Sequence, residues 1–173
     1  NEAAAGGQAY TTITYGHADL TTPRRGYPTA DVVLCINTWL MASLEGRTRM
    51  IEHTCASVKR GGHLLLVVPS LNSVLLTNFR KLQWNLRDGM SARRAEREAA
   101  LDDTGLAGGL VTIDKVPTKH YLAEELEALL DEHGLDTLAV EKIEYPWSTE
   151  FQAPPRWMKA PYPWDWFVTA RRR

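Results

Sequence analysis

The sequence predicts an α/β fold, a doubly wound and mostly parallel sheet that ends in an antiparallel C-terminal strand. Two short apolar runs, Asp31 to Ile36 and His63 to Val68, have the length and make-up of strands buried on both faces. Between them the apolar residues form a single helical stripe. Strands alternating with amphipathic helices imply parallel pairing through right-handed crossovers. The chain has 173 residues, enough for one ordinary domain and not for two. At 44% hydrophobic and 24% charged, its composition is that of a domain with a real core. The formal net charge of −1 gives no indication of nucleic acid or anionic membrane as a partner. No apolar run approaches the ~20 residues of a membrane span, so none is expected.

Taken in order, Asn1 to Gln8 reads as a frayed helix end interrupted by Gly6-Gly7, and Tyr10 to Tyr15, rich in Thr and Tyr, reads as a strand. A Pro- and Gly-containing loop, Thr22 to Pro28, precedes the run at Asp31. From Glu45 to Arg60 the residues Met50, Ile51, Cys55 and Val58 share one helix face, and Gly61-Gly62 is expected to end that helix. Pro69 then stops the next strand. Leu71 to Ala100 is read as helical with a break near Asp88-Gly89, its second half heavily charged, and Gly105 to Gly109 as a flexible joint. Lys119 to His133 is a further predicted helix, with Leu122, Leu126, Leu129 and Leu130 on one face and Gly134 as its cap. Thr137 to Tyr145 and Trp164 to Ala170 are predicted to pair as a closing antiparallel hairpin, followed by an Arg-rich tail. Between them, residues 145–166 hold four of the six tryptophans in a proline-rich stretch. That stretch reads either as a loop pinned over the sheet edge or as an aromatic wall for a ligand.

Cys35 and Cys55 make no disulfide framework, and with the five histidines they form no zinc-ligand spacing. Both read as small core residues, and a reducing, cytoplasmic compartment fits them.

The order of motifs carries a resemblance. Asp31-Val32-Val33-Leu34-Cys35-Ile36-Asn37-Thr38-Trp39-Leu40, a helix, then Lys59-Arg60-Gly61-Gly62-His63-Leu64 through Pro69 resembles the fourth and fifth strands of class I S-adenosylmethionine-dependent methyltransferases. Upstream, Tyr15-Gly16-His17-Ala18-Asp19-Leu20 is similar to the end of their third strand. Downstream, Lys119-His120-Tyr121-Leu122-Ala123-Glu124-Glu125-Leu126 through Leu130 and Gly134-Leu135 is similar to their Tyr-Thr-x-Glu-Glu-Leu helix. Each piece alone is weak; four in order and spacing are specific. Arg60 stands where the family has proline, and no Gly-x-Gly-x-Gly turn or ribose-holding acid is found. The resemblance therefore implies a single methyltransferase domain over residues 1–173, the C-terminal two-thirds of the family unit without its first strands. A helical insertion would occupy about 71–110. As a fragment, the chain alone is expected to be inactive.

In an open parallel sheet, ligands lie beyond the carboxyl ends of the strands. The resemblance thus implies S-adenosyl-L-methionine as cofactor, with Ala18, Asp19 and Leu20 on the adenine and Cys35, Ile36 and Asn37 near the methionine part. Asp19 could equally be a turn residue and Asn37 a helix cap. His17 and His120 are the candidate general bases, and Tyr121, with Lys119, stands where the acceptor pocket is often bordered. The acceptor is expected to be a small molecule of unidentified chemistry, with the oligomeric state open. Arg80, Arg87, Arg93, Arg94 and Arg97 could meet an acidic acceptor, although a charge-laced helix is more often a solvated face. Two other readings remain: a catalytically inactive scaffold of the same fold, and an NAD(P)-dependent Rossmann oxidoreductase.

Overall fold

In a computed structural model, the structure describes residues 14–22, 28–101 and 105–173. A four-stranded mixed sheet in the order β1-β2-β6-β5 forms its frame. Strand β1 (Ala30–Ile36) runs parallel to β2 (Val58–Pro69), with Cys35 opposite Leu66 and Ile36 opposite Val67. Strand β6 (Trp164–Arg172) is antiparallel to β2 on one side and to β5 (Leu135–Glu144) on the other. The expected antiparallel C-terminal hairpin is present. The Arg-rich tail belongs to it, since Arg171 and Arg172 continue β6.

The core lies on one face of this sheet. Leu64, Leu66 and Val68 of β2 are opposite Ala170, Val168 and Trp166 of β6, and all six are buried. Helix α1 (Leu44–Ala56) adds Met50, Ile51 and Cys55, and helix α4 (Ala123–Glu132) adds Leu126 and Leu130. Each such aliphatic side chain contributes about 1.5–3 kcal/mol when fully buried. The expectation that β1 is buried on both faces is corrected. Val32, Leu34 and Ile36 are 53–62% exposed, because no described helix covers their face and β2 is β1's only partner among the described residues.

Two further boundaries differ from the sequence reading. Helix α1 ends at Ala56, and Gly61-Gly62 lies inside β2. The β1–β2 register jumps from Ala30 opposite Val58 to Val32 opposite His63, so Lys59 to Gly62 bulge out of the ladder. Gly61 takes φ +77°, and a Cβ on Gly62 would stand 2.7 Å from the Asp31 carbonyl oxygen. These glycines serve the sheet rather than a helix end. The helix expected from Lys119 starts only at Ala123. The Tyr121 amide donates to the Pro69 carbonyl, and Leu71 donates back to the Tyr121 carbonyl, which keeps this segment extended across the end of β2.

The break in the long helical stretch falls where expected, between α2 (Leu71–Arg87) and α3 (Ala92–Ala99). Beyond it lies a hairpin that the sequence reading missed, β3 (Leu110–Ile113) with β4 (Val116–Lys119). Asp114 and Lys115 both have positive φ, the pattern of a two-residue hairpin turn. Gly134, at φ +76°, follows α4 as predicted. The strand expected over 10–15 lies mostly outside the described residues, as do the segment 1–8 and most of the loop 22–28; Thr14 and Tyr15 are not in a strand.

Candidate active site

Three groups of predicted residues occupy three places in the fold. The first is the carboxyl end of β1. Asn37 leaves the strand with φ +48°, and its amide donates to the Val67 carbonyl at 2.9 Å. Its side chain is exposed, as is that of Ile36, whereas Cys35 points into the core. Burial pushes the Cys35 thiol up from its ordinary value and Cys55 up to about 12, so both stay protonated thiols at neutral pH.

The second group is the turn at His17 to Leu20. Asp19 Oδ1 accepts from the amide of Thr21 at 2.8 Å and from its hydroxyl at 2.7 Å. These bonds hold the carboxyl below the usual carboxylate range. The turn is clamped to α1. His53 Nδ1 lies 2.7 Å from the Leu20 carbonyl, which can only accept, and Arg49 donates to the Thr21 carbonyl at 3.2 Å. Leu20 packs against the core, while His17 and Ala18 are exposed.

The third group, His120 and Tyr121, divides. Tyr121 is fully buried, and its hydroxyl donates to the Trp39 carbonyl at 2.6 Å. Burial raises its pKa far above the ordinary phenol value. Its carbonyl also accepts from Trp166 Nε1 at 3.0 Å. Tyr121 thus ties the β1–α1 loop, the end of β2 and β6 together. Neighbouring Lys119 is buried too, paired with Glu125 at 2.6 Å.

His120, by contrast, lines a cavity of about 360 Å³ beyond the carboxyl end of β2. Pro69, Ser70 and α2 residues Ser73, Val74 and Asn78 form one side. The end of α3 and the hairpin residues Val111 and Ile113 form the other, and Tyr145, Glu150 and Asp165 complete the lining. Burial holds His120 below the ordinary histidine range and pushes Glu150 and Asp165 above the ordinary carboxylate range. The Tyr145 hydroxyl stands with Ser73 and Glu150, and its pKa is raised by burial and by the two acids. None of Ser73, Asn78, Tyr145, Glu150 or Asp165 was singled out from the sequence. One signal was legible: Asp165 is an acid between two tryptophans in a predicted strand.

The arginines expected to meet an acidic acceptor do other work where the structure gives them contacts. Arg80 donates to the carbonyls of Lys159 and Ala160, and Arg87 lies 4.0 Å over the Trp157 ring. They pin the proline- and tryptophan-rich segment onto α2. The charged groups at the cavity are chiefly acidic.

No family model matches the sequence, and no curated protein is significantly similar to it. Solved structures do match. A SAM-dependent methyltransferase from Methanosarcina mazei aligns over 90% of this chain and 65% of its own length, with a TM-score of 0.53 and 15% identity. One from Mesorhizobium loti aligns over 94% of this chain and 70% of its own, with a TM-score of 0.52 and 18% identity. The chain has the fold of class I S-adenosylmethionine-dependent methyltransferases and spans about two-thirds of the length of these two.

Proposed function

We propose that this chain, carrying that fold, forms the acceptor side and part of the cofactor side of an enzyme that methylates a small molecule with S-adenosylmethionine. One observation carries the reading: a ligand-sized cavity opens beside the end of the parallel strand pair. Asn37 is tied to Val67, and the cavity begins at Pro69 and Ser70. Pro69 ends β2 two positions beyond Val67, roughly 7 Å by strand rise, and Ser70 follows it as the cap of α2.

When bound, the cofactor supplies an electrophilic sulfonium methyl group. The residues present suit it. Asp19, kept ionised by Thr21, is an exposed acceptor for the exocyclic amine of adenine, with the amides of Ala18 and Leu20 beside it. Ile36 and Asn37, exposed at the end of β1, border the methionine side, whereas Cys35, also expected there, faces the core. Of the two histidine candidates, only His120 lines the cavity, where burial holds it below the ordinary histidine range and leaves Nε2 free to accept from a ligand. His17 stands on the adenine turn, and Tyr121 is assigned to support of the strand ends. Residues 71–110 act as the cover of the acceptor, and residues 145–166 brace that cover.

Calorimetric titration of the intact protein with S-adenosylhomocysteine tests the reading. Asp19→Ala and Asn37→Ala should each weaken binding by about tenfold, roughly the worth of one hydrogen bond to the cofactor. Unchanged affinity in both variants would remove these residues from the cofactor site.

A further inference from the structure

The cavity has an uneven hydrogen-bonding inventory. Asn78 Oδ1 is shut off from solvent and has no partner. Glu150 and Asp165, when ionised, only accept. His120 Nδ1 lies 3.0 Å from the Thr118 carbonyl, which cannot donate, so Nδ1 carries the hydrogen and Nε2 is left as an acceptor. Ser73 Oγ already takes the Trp164 amide at 2.8 Å. Four residues of the lining therefore offer acceptors, and the exposed Lys81 is the only cationic side chain among them. Val74, Leu101, Val111 and Ile113 supply an apolar wall.

An unpaired buried acceptor such as Asn78 Oδ1 is costly, and half-buried Asp165 also stands close to the carboxyl of Glu150, which is exposed at the rim and already accepts from the Tyr145 hydroxyl. A ligand that brings several N–H donors and a positive charge relieves both. We propose that this cavity takes a small amine with an apolar body as the methyl acceptor, its N–H groups held by Asn78, Glu150 and Asp165. The proposal rests on the methyltransferase reading above. A volume of about 360 Å³ is near the lower end for small-molecule sites, which suits a compact aryl or alkyl amine.

The chemistry balances. The ammonium form gives one proton to Glu150, which frees the nitrogen lone pair. That pair forms the new N–C bond to the methyl carbon while the S–C bond breaks, its electrons remaining on sulfur. The sulfonium becomes the neutral thioether S-adenosylhomocysteine, the amine becomes a methylammonium, and the proton on Glu150 passes to solvent. A carboxylic acid acceptor would meet two like charges, and an alcohol would leave the carboxylates without a cation.

The test uses the intact protein and three probes of one shape: 2-phenylethylamine, 2-phenylethanol and 3-phenylpropanoate, each titrated by calorimetry, with S-adenosylhomocysteine titrated separately. The amine should bind more tightly than the alcohol by at least about tenfold, with the acid weakest. Glu150→Gln and Asp165→Asn should each reduce amine affinity about tenfold and leave S-adenosylhomocysteine affinity unchanged. Asn78→Leu, which touches neither carboxylate, should reduce it as well and covers the case in which an acid variant fails to fold. Binding of the acid or alcohol in preference to the amine would overturn the proposal, as would an amine affinity indifferent to all three variants. Amine binding without S-adenosylhomocysteine binding would keep the amine site and overturn the methyltransferase reading instead.

Discussion

At the scale of single residues, Tyr121 and His120 show how neighbours in sequence take different work. The Tyr121 hydroxyl is the partner of the buried Trp39 carbonyl. Tyr121→Phe should cost about 1–3 kcal/mol of stability, because that carbonyl is left unpaired. Chemical denaturation measures it, and an unchanged midpoint with lost methyl transfer would return Tyr121 to a catalytic role. His120 makes a pH prediction. Its folded pKa lies below the unfolded value of about 6.5, so on acidification the unfolded chain takes up a proton before the folded one does. The stability it secures is complete above that value and is lost as pH falls below it. Glu150 and Asp165 run the other way, since their folded pKa values are raised, and what they cost at neutral pH is relieved on acidification. Melting curves between about pH 7.5 and 5.5 should thus show wild type losing more stability than His120→Asn. Equal losses would mean that His120 charges freely in the fold.

Among the elements, the bulge in β2 and the segment before α4 carry the clearest consequences. Gly62 lacks room for a side chain, since a Cβ would lie 2.7 Å and 2.9 Å from two backbone carbonyl oxygens. Gly62→Ala should destabilise by about 1–3 kcal/mol through forced backbone shifts. Gly61→Ala is limited by φ alone, with its nearest contact at 3.9 Å, and should cost about 1–2 kcal/mol. Thermal midpoints that rank the two variants clearly in the reverse order would contradict the bulge geometry. The β3–β4 hairpin docks through Lys119, whose amide donates to the Leu40 carbonyl at 2.9 Å and whose side chain is buried beside Glu125. A helix starting at Lys119 would break this docking, which is why helical spacing in the sequence overran the true start. The residues were periodic enough for a helix, but their backbone groups were already committed to the ends of β2 and of the β1–α1 loop.

For the whole molecule, the sheet is asymmetric. One face is packed by α1 and α4, while β1 leaves its outer edge unpaired among the described residues and three apolar side chains exposed. Such an edge is a template for another strand. The 173-residue chain by itself should self-associate through β1, and Leu34→Lys should shift it towards monomer in sedimentation measurements. A chain that is monomeric without the substitution would show that the edge is covered.

The sequence by itself determined the alternation of strands and helices, the final antiparallel hairpin and the core positions of Cys35, Cys55, Leu126 and Leu130, because these follow from local periodicity. It also picked out His120 as a residue of interest. The cavity beyond the end of β2 was decided only by tertiary structure. Ser73, Asn78, Glu150 and Asp165 come from separate stretches of chain, and no spacing rule links them. They become a site only when β6 inserts between β2 and β5 and the tryptophan-rich segment folds back onto α2. Burial then gives their acceptor groups a chemistry that the same residues would not have in water.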